Sequence, residues 1–252
     1  MKLTIVGCSG SFPGPDSPAS CYLVEHDGHR LVLDLGSGAL GALQRYTDLR
    51  SIDAVLLSHL HLDHVADVGS LYVTRKYHPE GRLPALAVIG PRGVAERIVT
   101  MYGDSTPAAM SEIFDFREHM AEKRIGPFTV TVMRVRHPVI AYATRVEAGG
   151  RSFVFSGDTG PTDALVDITR GADLALFEAS FLTEEVAHVA DGAAEIHMTA
   201  AQAAAQATLA GVGSLVLTHL VPWNSVGAIE SEARPHFDGS LVMARSGLVI
   251  DV

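Results

Sequence analysis

Cysteine is nearly absent from this chain: Cys8 and Cys21 are the two examples in 252 residues, and they stand in no metal-ligand spacing. That scarcity excludes a disulfide framework and a cysteine-rich structural zinc site, and it makes a reduced, cytoplasmic setting the expectation. Long apolar runs are missing as well. None approaches the roughly 20 residues of a membrane-spanning helix, and the opening MKLTIVGCSG enters a strand-like run with no space for a signal peptide, so no membrane partner is expected. Basic residues are few, 19 Lys and Arg against 29 Asp and Glu for a formal net charge of -10. Broad electrostatic binding of nucleic acid, which depends on basic surfaces releasing counterions, finds no support there. Disorder is excluded by 47% hydrophobic against 19% charged residues. The length suits one domain, residues 1–252, with a sizeable core.

Histidine is the residue present in excess, twelve in all, and three of them fall in the seven residues SHLHLDH, Ser58 to His64. The run follows the apolar stretch IDAVLL, so the spacing predicts a strand that ends at a histidine cluster. Elsewhere the pattern alternates. KLTIVG reads as a strand, and CYLVEH and RLVLDL flank an Asp-Gly hairpin turn. GSGALGALQRY and PRGVAERIVTMYG read as helices, and LYVTRKYH as part of a helix running from the low 60s. PFTVTVMRVRH, AYATRVEAGGRSFVFSGD, ADLALFEAS, SLVLTHL and GLVIDV read as strands. TAAQAAAQATLAGVG is a helix with Thr199 as N-cap and Gly211 near its end. Interleaved helices and strands indicate an α/β protein with layered sheets.

A His-x-His pair at a strand end puts His59 and His61 near one point, while Asp63 and His64 serve a second point beside it. Neutral imidazole with carboxylate suits zinc, and also manganese or iron. Four such residues on a solvated turn is the competing reading. Three further strand ends carry one ligand-type side chain each: His137 after TVMRVR, Asp158 closing FVFSGD, and His219 closing SLVLTH. Singly, His137 could cap a strand and Asp158 could open a turn with Thr159 and Gly160; jointly they point to metal.

HLHLDH followed by a later His, then SGD, then LTH, resembles the metallo-β-lactamase superfamily, and most closely its ribonuclease Z-like branch, over essentially the whole chain. The resemblance implies a four-layer αββα sandwich holding two divalent ions, zinc foremost with manganese as the alternative. It places His59, His61 and His137 on one ion, Asp63, His64 and His219 on the other, and Asp158 between them. Aspartate rather than cysteine at 158 favours phosphodiesters over β-lactams, and His61 in place of glutamate weakens an oxidoreductase reading. Two ions about 3.5–4 Å apart stabilise both attacking and leaving oxygens of an in-line displacement, and Asp63 could orient the attacking hydroxide. For the leaving oxygen, the resemblance implies His197 of EIHMTA as general acid and Glu178 of LFEAS as the partner that orients it and raises its pKa. Ser9, Ser11 and Ser20 of the loop CSGSFPGPDSPAS are candidate substrate-wall residues, as are Trp223, the single tryptophan, and more weakly Tyr77 and His78.

Spacing narrows the substrate. In the tRNA-processing members an arm that grips tRNA lies between the equivalents of His137 and Asp158; here 21 positions separate them, filled by two strands and EAGG. The strings CSGSFPGPDSPAS, ALGALQRY, KYHPEG and THLVPWNS are similar to the short arm-less cyclic-nucleotide phosphodiesterases of the branch. The expected reaction is hydrolysis of a 3′,5′-cyclic nucleotide, cyclic AMP foremost, to the 5′-monophosphate, by a homodimer with no stable nucleic-acid partner. The alternatives are tRNA 3′-end processing, a small-ester or lactone hydrolase, against which the Glu178 and His197 pair argues, and a non-catalytic metal-binding protein.

Overall fold

Alternation along the strands sets the architecture. In the computed structural model, which describes residues 1–103, 105–186, 188 and 193–252, the strands in chain order are β1 Lys2–Gly7, β2 Cys21–His26, β3 His29–Leu33, β4 Ala54–Leu56, β5 Leu86–Gly90, β6 Phe114–Glu118, β7 Glu122–Ile125, β8 Phe128–Arg134, β9 Tyr142–Ala148, β10 Arg151–Phe155, β11 Leu174–Glu178, β12 Ser214–Thr218, β13 Ser240–Met243 and β14 Val249–Asp251. The helices are α1 Ala39–Leu43, α2 Leu62–Val65, α3 Val68–Lys76, α4 Val94–Tyr102, α5 Pro107–Met110, α6 Asp163–Thr169, α7 Ala193–Ile196, α8 Ala200–Ala210 and α9 Val226–Ala233. The strands form two seven-stranded sheets, ordered β14-β1-β2-β3-β4-β5-β6 and β13-β12-β11-β10-β9-β8-β7. Each is mixed: antiparallel hairpins at one side, parallel strands with helical crossovers at the other.

Successive residues of a strand face opposite ways, and here both faces are covered. In β2, Tyr22 and Val24 enter the core between the sheets with Leu3, Phe128, Phe153 and Leu176, whereas Cys21 and Leu23 enter a second core under Leu43, Leu71, Tyr72 and Ile98 of α1, α3 and α4. In β10, Phe153 and Phe155 face the first sheet, while Val154 packs with Leu165 of α6 and Ala203 and Ala207 of α8. Three cores make four layers, the expected αββα sandwich. On α8 the stripe Ala200, Ala203, Ala204, Ala207 and Ala210 is buried, and its small side chains bring the helix close to β11 and β12. Its start is the capping box expected at Thr199, closed by Gln202. The Asp27-Gly28 turn has φ 47° and 79°, the left-handed pair that a two-residue hairpin requires.

Some elements differ from expectation. The helix of the 60s and 70s is broken into α2 and α3 because Leu35 N donates to the His64 carbonyl and Asp67 N donates to the Leu35 carbonyl, diverting backbone groups from a continuous ladder. GSGALGALQRY yields a helix of only five residues, α1. Strands β6, β7 and β13 and helices α6 and α9 carry no strong apolar run; β7, EKRI, is a charged edge strand of the kind that discourages edge-to-edge pairing. Among the described residues, no helix is long and apolar enough to cross a membrane.

Topology places the chemistry at one end. Strands β3 and β4 run parallel, as do β10, β11 and β12. Strand β8 is antiparallel to β9, which is antiparallel to β10, so β8 points the same way as β10. Within each sheet the loops after these strands therefore emerge at one end, the carboxyl ends where open α/β sheets bind ligands, and contacts of His59 with His137 and of His64 with His219 bring the two ends together.

Candidate metal centre

His59 follows β4, His137 follows β8, Asp158 follows β10 and His219 follows β12. Two groups of donors form at their meeting point. In the first, His61 Nδ1 lies 3.1 Å from His59 Nε2 and 3.1 Å from His137 Nε2, and Asp158 Oδ2 lies 3.6 Å from His59 Nε2. In the second, His219 Nε2 lies 3.1 Å from Asp63 Oδ2, 3.3 Å from His64 Nε2 and 3.3 Å from Asp158 Oδ1. His64 Nε2 is 3.2 Å from the same Asp158 oxygen. Asp158 thus presents one oxygen to each group, as the bridging role requires.

The donors fit cations. Four of the imidazoles have Nδ1 committed outward. His64 Nδ1 donates to Asp34 Oδ2 at 2.7 Å, and His137 Nδ1 to the Ile196 carbonyl at 3.0 Å. Ser58 Oγ donates to Asp34 Oδ2, so it must accept from His59 Nδ1 at 3.1 Å. Ser180 Oγ donates to Glu178 Oε2, so it must accept from His219 Nδ1 at 2.9 Å. In the neutral tautomers that these bonds select, all four Nε2 atoms turn lone pairs inward, His59 and His137 toward the first group and His64 and His219 toward the second. Asp158 Oδ1, buried, has no hydrogen-bond partner among the described residues. A tetrahedral ion with nitrogen ligands at about 2.0–2.1 Å would set its donors roughly 3.3 Å apart, close to the spacings found.

Electrostatics agree. Burial, foremost, holds His59, His61 and His137 below the ordinary imidazole value, in the neutral form that ligates metal. Burial opposes ionisation of Asp158, yet His219, His64 and His59 bring it well below the usual carboxylate range. Asp63 behaves alike, burial being outweighed by His64 and His219. Burial also lowers His64, but Asp158, Asp34 and Asp63 reverse this and raise it well above its ordinary value. Without a cation these buried carboxylates draw a proton onto His64; a divalent ion would supply the positive charge they demand and leave His64 neutral to ligate.

Glu178 ends β11, and His197 precedes α8. His197 Nδ1 lies 3.2 Å from both Glu178 oxygens, and its ring stacks on His219 at 5.7 Å and 12°. Burial lowers the His197 pKa, but the Glu178 carboxylate, through charge and hydrogen bond, raises it to about 9. Glu178, His197 and His219 also converge closely enough to hold an ion. Glu178 already accepts from Thr159 N and Ser180 Oγ, however, which makes this trio a hydrogen-bonded array.

The wall candidates separate. Ser11 N donates to Asp63 Oδ2 at 2.9 Å, so Ser11 reaches the centre through its main chain. Ser20 is fully buried and forms no open wall. Ser9 is also buried; its Oγ donates to the Ser17 carbonyl and accepts from Gly14 N, so it shapes the loop and offers nothing to a substrate. Trp223 is 62% exposed, beside Phe12 at 5.3 Å. Tyr77 and His78 line a separate cavity of about 510 Å³ with Gln44, Thr47 and Val73, and no metal-ligand candidate borders it. Three residues escaped the sequence reading: Asp34, Ser58 and Ser180. Asp34 had a signal, an acidic residue directly after an apolar strand; the two serines had none. Asp34 and His219 both take left-handed backbone, φ 55° and 54°, and Ser11 joins them at 63°. Strain of this kind persists where surrounding structure imposes it, often at functional sites.

Residues 29–220 match the family described as a beta-lactamase superfamily domain. An uncharacterized protein of Mycobacterium tuberculosis is 41% identical over 248 residues, covering 95% of this chain and 88% of that one. The probable metallo-hydrolase YhfI of Bacillus subtilis is 31% identical over 257 residues, covering 99% of each chain. Its crystal structure superposes with a TM-score of 0.87 over 99% of both chains at 30% identity. Ribonuclease Z of Mycobacterium bovis is 29% identical over 266 residues, covering 93% of this chain and 94% of its own. The chain belongs to the metallo-β-lactamase superfamily, on its ribonuclease Z-like branch.

Proposed function

We propose that this metallo-hydrolase is a dinuclear phosphodiesterase that opens 3′,5′-cyclic nucleotides, cyclic AMP foremost, to 5′-monophosphates. The observation that carries the reading is Asp158, shared between two donor groups directly beside the Glu178–His197 pair. Bound at those groups, two divalent ions, zinc or manganese, would supply a nucleophile at neutral pH and neutralise charge on the phosphoryl oxygens. The chain's own residues do the rest. Asp63 faces the second group with Oδ2 held by Ser11 N, so its carboxylate orients the nucleophile. Glu178 holds His197 Nδ1, leaving Nε2 to deliver a proton to the departing ribose oxygen. A leaving alkoxide needs that proton, whereas a thioester or activated lactone has less need of it.

A small substrate is favoured over tRNA because the stretch between His137 and Asp158 consists of β9, the Gly149-Gly150 turn and β10, with no gripping arm, in a chain of net charge -10. Hydrolysis of cyclic AMP and of a 3′-extended tRNA, assayed side by side with zinc or manganese, tests the proposal, with His64→Ala and His197→Ala as controls. Cyclic AMP cleavage that disappears in His64→Ala, with tRNA intact, is the expected result. Cleavage of tRNA alone would replace this reading with a minimal tRNA-processing nuclease.

A further inference from the structure

Beside the metal centre lies a cavity of about 480 Å³ lined by Phe181, Glu184, Glu185, His188 and Trp223. Two of its walls are aromatic and both are tied to the chemistry. Phe181 meets His197 edge-on at 5.8 Å. Trp223 lies four positions after His219 and packs on Phe12, the neighbour of Ser11, whose N–H contacts Asp63. The two loops bearing Phe12 and Trp223 are zipped together: Gly10 N donates to the Leu220 carbonyl, and Leu220 N to the Cys8 carbonyl. The Glu185 side chain, which also lines the cavity, is pinned as well. Glu185 Oε2 accepts from Leu182 N at 2.7 Å and from Asn224 Nδ2 at 2.8 Å, and Asn224 Nδ2 also reaches the Ser180 carbonyl. Trp223 is 62% exposed and Phe12 40% exposed. Trp223, left open on a pinned loop and backed by Phe12, offers the cavity a stacking face, because any planar base presents a π-face to it.

We infer that this cavity is the base subsite of the enzyme, with Trp223, backed by Phe12, stacking the ring and the Glu184–Glu185 lip selecting bases that carry an exocyclic amine. The inference rests on the cyclic-nucleotide reading above and adds the determinant of base choice. Selection follows from hydrogen-bonding capacity: ionised carboxylates only accept, so the lip rewards an amine and disfavours a base edge that presents only acceptors. The lip is also anionic, which directs the phosphate away from the cavity and toward the metal groups while the neutral base enters.

The test compares three substrates with the zinc-loaded protein: cyclic AMP, the 3′,5′-cyclic phosphate of purine riboside, which differs from it only by lacking the 6-amino group, and methyl p-nitrophenyl phosphate, which has no base. In Trp223→Ala the KM for cyclic AMP should rise about 10-fold or more relative to any change on the base-free diester, with Trp223→Phe recovering most of the loss. In Glu184→Gln the preference for cyclic AMP over the purine riboside analogue should shrink. A Trp223→Ala protein that loses equally on the base-free diester and on cyclic AMP overturns the subsite, as does an unchanged KM accompanied by an altered oligomeric mass. Wild-type protein that cleaves the base-free diester and neither cyclic nucleotide sinks the substrate reading itself, an outcome distinct from failure of the subsite alone.

Discussion

Asp34 offers the sharpest test of how the metal groups are built. Its buried carboxylate accepts three hydrogen bonds: Ser58 N at 2.7 Å on Oδ1, and Ser58 Oγ at 2.8 Å and His64 Nδ1 at 2.7 Å on Oδ2. Through Ser58 it fixes the tautomer of His59 in the first group, and directly that of His64 in the second. Asp34→Asn keeps the shape but converts one acceptor into a donor. With the amide oxygen toward His64, the NH2 confronts the Ser58 N–H. With the amide reversed, His64 must turn a lone pair outward and present Nε2–H to the centre, where it cannot ligate. Either outcome forfeits a charge-assisted hydrogen bond, about 1.5–3 kcal/mol. That agrees with the roughly 10- to 100-fold loss of metal affinity typical when such a supporting carboxylate is changed. Zinc titration against a competing chromophoric chelator should show both sites weakened by that factor, with circular dichroism unchanged. Ser180→Ala, which touches only His219 among the metal-ligand candidates, should weaken one site. Two sites of wild-type affinity in Asp34→Asn would refute the tautomer argument.

Chelation should lower thermal stability: each ion at about 100 times its Kd stabilises by roughly 2.7 kcal/mol, so two contribute about 5.4 kcal/mol, or about 11–22 °C for a chain this size, and an unaltered Tm on differential scanning calorimetry would contradict binding at these groups. His197→Ala should reduce kcat on cyclic AMP by about 10²–10⁴-fold but much less on methyl p-nitrophenyl phosphate, whose leaving group departs without a proton. Equal losses on both would remove His197 from proton delivery. At Gly36 an added Cβ would overlap the Asp63 carbonyl, so Gly36→Ala should cost at least about 1–3 kcal/mol in urea unfolding and displace Asp63. Unchanged stability and metal affinity would show that the α2 backbone yields freely there.

The donor groups were readable from sequence because His59, His137, Asp158 and His219 each follow an apolar strand, and His59, His61, Asp63 and His64 lie within six residues. The Glu178–His197 pair was legible through family resemblance. The serine wall was misread: a loop of Gly, Pro and Ser announces a turn but not which side chains face inward, and Ser9 and Ser20 proved to be buried. Asp34, Ser58 and Ser180 were invisible for a related reason. A serine relays a hydrogen bond only when donor and acceptor from distant segments meet at its oxygen, as His219 and Glu178 meet at Ser180. What the sequence determined by itself was local: strand periodicity, the Thr199 cap, the Asp-Gly turn and the supply of ligand-type side chains, all governed by interactions within a few residues. What only the tertiary structure decided was the juxtaposition of those parts. His64 and His219 are 155 positions apart, and they meet because β3, β4, β8, β10 and β12 run in directions that carry their ends to one place, where each imidazole's inward lone pair depends on an acceptor from another element.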